Sequence, residues 1–381
     1  MNVITNIQDL RILAKKRVPR MFYDYTSSGS WTEKTLKDNS GDFEKIFFRQ
    51  RVAKDMSNRT TSSYMLGEKV FMSVALAPTG LAGMLHPNGE IHAANAANEF
   101  GVPYTLSTMS ICSIEDVAES TLKPFWFQLY VMRDKEFSKR LVDRAKAAGC
   151  SALMLTLDLQ ILGQRHRDLK NGLSTPPSLT VNNLWDMLKR PHWCAGMLCT
   201  KRRNFGNIAG HVKGISDISS LAKWTAEQFD PGLNWDDVDR IRGWWDGKFI
   251  LKGIMDPEDA IIAAKSGADA IIVSNHGGRQ LDGVESTISV LPKIVSAVGE
   301  NTEVWLDGGI DSGQDVLKAL ALGAKGTLIG KSFLYGLGAM GKAGVTKSLE
   351  IIHKELDMTM ALCGHRDINQ VDRQILARSP F

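Results

Sequence analysis

The 381-residue sequence lacks most features that would place a chain outside the ordinary globular class. It has no C-x-x-C pair. Its five cysteines, Cys112, Cys150, Cys194, Cys199 and Cys363, are odd in number and widely scattered, which argues against a zinc site or disulfide framework and for reduced thiols in a cytosolic protein. No stretch of about 18 apolar residues occurs, and the opening MNVITNIQDL has no basic region followed by an apolar run. The expectation is a chain neither secreted nor membrane-spanning. Excess charge of one sign is missing too: 46 Lys and Arg against 42 Asp and Glu leave a net +4, too little for nucleic acid to be the main partner. Low-complexity segments are absent, as is any repeat longer than a strand–helix unit.

What is present is a recurring short apolar strand followed by a helical pattern. The strands read MSVAL from 72, PYTLS from 103, FWFQLY from 125, LMLTLD from 153, FILKG from 249, AIIVSN from 270, VWLDG from 304 and GTLIG from 326. Helical partners include KEFSKRLVDRAKAAG and DPEDAIIAAKSGA, the latter opening with an Asp cap and Pro at its first helical position. Eight β-then-α units predict an α/β fold, a (β/α)8 TIM barrel, over an open doubly wound sheet. The whole chain, 1–381, reads as one domain. Residues 1–70 form an N-terminal helical covering segment, and residues 172–234 form a long insertion in the fourth unit. That insertion contains Pro176, Pro177, Pro191 and LWDMLKRPHWCAGMLCTKRRN, where Trp and Leu interleave with Lys and Arg. Two readings stay open: an interfacial membrane segment, or a long active-site loop with its own small core.

Barrel enzymes carry their chemistry where strands end, and here those ends are polar. In order they give Ala77-Pro78-Thr79-Gly80, Ser107, Gln128 with Tyr130, Thr156 with Asp158, Lys252, Ser274 with His276 and Arg279, Asp307-Gly308-Gly309, and Gly330-Lys331. Two glycine-rich stretches imitate nucleotide motifs without satisfying them. GLGAMG, Gly336 to Gly341, lies beyond the eighth strand with KSFLY between, and reads as helix packing. GTLIGKS is one residue too short for a P-loop. DGG after the seventh strand and GK after the eighth occupy the place where barrels bind phosphate through backbone N–H groups. A phosphorylated cofactor follows.

APTG, FQLY, LTLD, SNHGGRQLDG and LDGG, in this order and spacing, resemble the FMN-dependent L-2-hydroxyacid dehydrogenase and oxidase family over nearly the whole chain. YDYTSSG, HPNGE and the insertion length look most like its quinone-linked bacterial L-lactate dehydrogenase branch. The resemblance implies an FMN cofactor held by Ala77, Pro78, Thr79, Ser107, Gln128, Thr156, Lys252, Ser274, Asp307, Gly308, Gly309, Gly330 and Lys331, with no metal. It implies His276 as general base and Asp158 as the stabiliser of its protonated form. Arg165 and Arg279 are implied as forks for the substrate carboxylate, with Tyr25 and Tyr130 as substrate-binding tyrosines. Lys252 is implied as a positive charge beside the flavin. Met109 leaves room for a methyl group, and Gly80 matches dehydrogenases rather than oxidases.

The implied activity is oxidation of an L-2-hydroxy acid, L-lactate to pyruvate, with electrons passed to a quinone or cytochrome. A homotetramer is implied, cytoplasmic or peripheral on the cytoplasmic face of the inner membrane through 172–234. Two other readings stay open: a soluble oxidase producing hydrogen peroxide, and a flavin-poor barrel with a binding role. The chain departs from the family pattern where arginines usually follow the DGG run and the eighth-strand glycine. Here Asp311 and Lys331 stand instead, so a carboxylate is expected either facing the FMN phosphate or turned to solvent.

Overall fold

The structure is a computed structural model describing residues 3–173, 180–210 and 228–381. Eight strands lie where the apolar runs place them: β1 Val74–Leu76, β2 Thr105–Ser107, β3 Trp126–Leu129, β4 Ala152–Thr156, β5 Lys248–Ile254, β6 Ala270–Val273, β7 Glu303–Asp307 and β8 Gly326–Ile329. Each pairs in parallel with its sequence neighbours, β1 also pairs with β8, and a parallel bridge from Leu76 to Tyr104 brings β1 and β2 together. The result is a TIM barrel. Strands β1 to β4 and β8 are buried at every position, as expected for a parallel sheet with helices outside and a packed interior. Trp126 and Trp305 stack inside the barrel at 5.3 Å between ring centroids, surrounded by Met154, Ile250, Ile272 and Leu328.

The outer helices start where their caps dictate. Asp134 accepts from the Phe137 N–H to begin Lys135–Ala147, whose Phe137, Leu141, Val142 and Ala145 form one buried stripe. Asp256 caps Pro257–Lys265 in the same way. The N-terminal segment holds three helices, α1 Ile7–Arg17, α2 Arg20–Ser27 and α3 Lys34–Glu44. It ends in a hairpin, Ser63–Met65 with Glu68–Val70, that sends Met65, Leu66 and Val70 into the barrel interior.

Parts of the insertion, 174–179 with Pro176 and Pro177 and 211–227, lie outside the described residues. The rest forms two helices, Val181–Leu188 and Pro191–Cys199, fastened to the body. Trp193 stacks on Phe22 at 5.6 Å, and its Nε1 donates to the Met84 carbonyl at 2.8 Å.

GLGAMG serves helix packing. A Cβ on Gly336 of helix Lys331–Met340 would sit 2.2 Å from the Gly344 carbonyl oxygen of the following helix, and one on Gly344 would meet the Gly336 oxygen at 1.8 Å. Neither backbone tolerates even a methyl group. We predict that Gly344→Ala lowers the free energy of unfolding by about 2–3 kcal/mol through overpacking, measured by urea denaturation; an unchanged midpoint would show that the helices separate freely.

Candidate active site

The loop after β6, Ser274 to Gly283, organises one end of the barrel. Ser274 Oγ accepts from Lys252 Nζ at 2.7 Å and from the His276 N–H at 3.1 Å, so it joins the ends of β5 and β6. The Asn275 and Asn39 amides exchange two hydrogen bonds of 2.8 Å, tying the loop to α3. Asn275 Oδ1 also accepts from the Gly278 N–H at 3.0 Å, closing the turn. Inside that turn His276 is held at φ +60°, a conformation that non-glycine residues adopt rarely. Gln280 then clamps the facing loop. Its Nε2 donates to the carbonyls of Asp158 at 2.7 Å and Ile161 at 2.8 Å, and its Oε1 accepts from the Gly163 N–H at 3.0 Å.

This framework aims the imidazole. His276 Nδ1 lies 2.9 Å from Asp158 Oδ1, which fixes Nδ1 as the donor and leaves Nε2 as an acceptor, hydrogen-bonded to the Tyr130 hydroxyl at 3.4 Å. Asp158 fits there because of Gly253, where a Cβ would lie 2.8 Å from the Asp158 Cβ and the backbone has φ +103°. Burial opposes charge on Asp158, but His276 and Lys252 beside it hold its carboxyl below the ordinary range. Lys252 is itself buried and pairs with Asp307 at 2.9 Å; burial works against its charge, while Asp307 and Asp158 keep its pKa raised. Burial pushes the Tyr130 phenol upward, so it stays protonated.

Two guanidinium groups converge on Tyr25. Arg279 lies over its ring at 4.5 Å from the centroid and Arg165 at 5.6 Å. Arg279 also donates to the Tyr25 carbonyl. Arg165 has a carboxylate partner, Asp168, with Nε to Oδ2 at 2.6 Å. Arg279 has none among the described residues, and burial together with the repulsion of Arg165 lowers its pKa. Two cations facing one carboxylate make a site that attracts an anion.

These groups surround a cavity of about 660 Å³. Its lining brings together Tyr25, Ala77, Pro78, Thr79, Gly80, Met109, Tyr130, Thr156, Arg165, Lys252, His276, Arg279, Asp307, Gly308, Gly309, Gly330 and Lys331. Ser107, Gln128, Asp158 and Ser274 stand behind that wall: Ser107 Oγ donates to Gln128 Oε1 at 2.9 Å, and the other two hold Lys252 and His276. Several polar atoms at the strand ends have no partner among the described residues, namely Gln128 Nε2, Thr156 Oγ1 and Asp307 Oδ1. Buried polar atoms normally find one.

The comparisons with known proteins agree with this geometry. Residues 14–378 match the family model described as FMN-dependent dehydrogenase. The chain belongs to that family. It is 42% identical to an L-lactate dehydrogenase of Vibrio parahaemolyticus serotype O3:K6 (strain RIMD 2210633), over 99% of this chain and 100% of the other. It is 43% identical to an L-lactate dehydrogenase of Caulobacter sp. (strain K31), over 99% of each. Among solved structures, the monotopic membrane protein (S)-mandelate dehydrogenase superposes with a TM-score of 0.94 at 35% identity, covering 99% of this chain and 100% of that one.

FMN fits what the cavity offers. An amide donor and a hydroxyl left without partners suit the carbonyl and imide edge of a flavin ring, the free Asp307 oxygen suits a ribityl hydroxyl, and Lys331 with the Gly330 helix start suits a phosphate. Asp311 is the unusual member. It lines the cavity while its side chain stays exposed, and it accepts from Ser332 Oγ at 2.9 Å. Desolvation raises its pKa against the opposing effects of Ser332, Lys331 and Arg11.

Several lining residues carry no sequence signal: Arg11 of α1, and Leu159, Leu162, Phe205 and Phe229 around the apolar part of the chamber. Asp168 was discoverable, since it follows Arg165 at the i,i+3 spacing of a helical ion pair. Its carboxylate also accepts from Ser28 Oγ at 3.2 Å. We predict that Asp168→Ala, which strands a largely buried guanidinium, lowers the unfolding free energy by about 3 kcal/mol in chemical denaturation; a loss below about 1 kcal/mol would place the pair with solvent-screened ones.

Proposed function

We propose that this FMN-dependent dehydrogenase oxidises L-lactate to pyruvate and passes the electrons to a membrane quinone, the whole chain acting as one FMN-binding unit in a homotetramer. The observation that carries the reading is the Arg279 guanidinium, which has no carboxylate partner among the described residues, next to a histidine whose Nε2 is an acceptor. A small 2-hydroxy carboxylate brings the missing anion and the proton to be removed. The names carried by the curated relatives select lactate among such acids.

Arg165 and Arg279 bind the substrate carboxylate, and Tyr25, lying against both, orients it. Asp168 positions Arg165 by holding its Nε, leaving the terminal nitrogens for the substrate. His276 Nε2 accepts a proton from the substrate, and Asp158, 2.9 Å from the other ring nitrogen, stabilises the imidazolium formed. The Tyr130 hydroxyl, 3.4 Å from Nε2, hydrogen-bonds the oxygen that becomes the carbonyl. Gly80, Met109, Leu159 and Leu162 enclose the methyl group. When bound, FMN supplies the two-electron acceptor. Ala77, Pro78, Thr79, Thr156, Asp307, Gly308, Gly309, Gly330 and Lys331 would hold it from the cavity lining, Ser107, Gln128 and Ser274 would support them from behind that wall, and Lys252 would contribute positive charge toward it.

The quinone assignment rests on a surface. No helix among the described residues is long and apolar enough to cross a membrane. The insertion nevertheless exposes Leu184 (59%), Trp185 (62%), Leu188 (61%) and Leu198 (74%), beside Lys189, Arg190, Lys201, Arg202 and Arg203. Apolar side chains among cations suit a helix lying in the headgroup region, on the cytoplasmic face. Phe205 of the insertion lines the cavity, which supports the active-site loop reading beside the membrane one.

Two experiments test these assignments. His276→Gln should retain FMN and slow its reduction by L-lactate at least ~100-fold in anaerobic stopped flow; a near-normal rate would remove His276 as the base. Replacing Leu184, Trp185, Leu188 and Leu198 together with serine should release the protein from anionic lipid vesicles with lactate oxidation on an artificial dye preserved. Undiminished sedimentation with vesicles would exclude this surface.

A further inference from the structure

The cavity extends well beyond the residues around His276. Its lining includes Arg11 of α1, Ser40 and Glu44 of α3, and Asp311 and Tyr335. Lys331 connects this part with the reactive end, because its Nζ donates to the Gly277 carbonyl at 3.0 Å. Lys331 also opens the ten-residue helix Lys331–Met340, whose cap, Gly330, has no side chain to fill the free N–H groups of the first turn. A cofactor phosphate placed here meets unpaired donors and a helix dipole of the right sign.

Charge decides whether it stays. The Lys331 ammonium is offset by the Asp311 carboxylate on the same wall. Glu33 and Arg167 form an ion pair with each other, and Lys37 and Glu44, both exposed on α3, have opposite signs. Without a further cation the phosphate would meet a neutral surface that already contains one carboxylate. Arg11 is that cation. It has no carboxylate within ion-pair distance among the described residues, and its guanidinium lies over the Tyr335 ring at 5.6 Å from the centroid. It is near enough to act electrostatically on both Asp311 and Lys331. Burial, with Arg279 adding to it, pushes the Lys331 ammonium down to about 7, so this wall favours an incoming anion over additional positive charge.

We propose that Arg11, from the helix preceding the barrel, is the second cation of the cofactor phosphate site and grips the phosphate opposite Lys331. The proposal rests on FMN being the cofactor. It assigns to α1 a part in cofactor binding in addition to covering the barrel, and it makes Arg11 the residue by which the chain distinguishes a phosphorylated flavin from one without phosphate.

The test uses the full-length protein stripped of flavin, titrated with FMN and separately with riboflavin by fluorescence quenching at low salt. A charge-assisted bond from guanidinium to phosphate corresponds to roughly tenfold or more in affinity. Arg11→Gln should therefore weaken FMN binding at least ~10-fold and leave riboflavin within about twofold, with Arg11→Lys recovering part of the loss. Equal losses for both flavins would give Arg11 a packing role and overturn the proposal, as would unchanged FMN affinity. Failure of the wild-type protein to bind either flavin would overturn the cofactor assignment and this inference with it.

Discussion

The active end of the barrel is organised around one hydrogen bond, from His276 Nδ1 to Asp158 Oδ1 at 2.9 Å. It joins the loop after β4, which carries Asp158, to the loop after β6, which carries His276, with Lys252 on β5 between them. Everything nearby keeps it in place. Gly253 makes room for the Asp158 side chain, Gln280 holds the Asp158 backbone, Asn275 ties the histidine turn to α3, and Ser274 bridges that turn to Lys252. The positive φ of His276 costs about 1–3 kcal/mol, and this set of contacts over-determines the turn enough to sustain it. The return is an imidazole in one tautomer and one orientation.

The second constraint is electrostatic. Buried charge persists only when paired, and the protein pairs most of what it buries: Lys252 with Asp307, Arg165 with Asp168, Asp158 with His276. Arg279 breaks the pattern at one end of the cavity; at the other end Arg11 is exposed on the lining and has no carboxylate within ion-pair distance among the described residues. Both are explained if the anions that complete the site arrive as ligands, a carboxylate at Arg279 and a phosphate between Arg11 and Lys331. The fold contributes separation: one such anion would sit at the loops after β4 and β6, the other at the loops after β7 and β8.

Much of this was legible in the sequence because it is local. Eight apolar runs bounded by polar or glycine residues define strands, and barrel geometry brings their ends to one rim, so His276, Asp158, Lys252 and Thr156 meet as expected. Ser107, Gln128 and Ser274 stand behind the cavity wall instead of on it, because a linear reading finds strand ends without the direction of each side chain. Arg11 and the clamping role of Gln280 were not readable at all. Both depend on segments far apart in the chain, α1 against the helix after β8 and the β6 loop against the β4 loop, and no periodicity marks such meetings. Asp311 was visible as an oddity, but its place on the cavity lining depends on a hydrogen bond from Ser332, twenty-one residues away.

Two arginines to hold the carboxylate, His276 on one side of the α-carbon and FMN to take the electrons would together select one hand of a 2-hydroxy acid. The most direct measurement is the visible absorbance of the purified, flavin-loaded protein after anaerobic mixing with L-lactate and, separately, with D-lactate. The flavin colour should bleach with L-lactate and persist with D-lactate. Colour that survives L-lactate, or bleaching that is equal with both enantiomers, would contradict this selection.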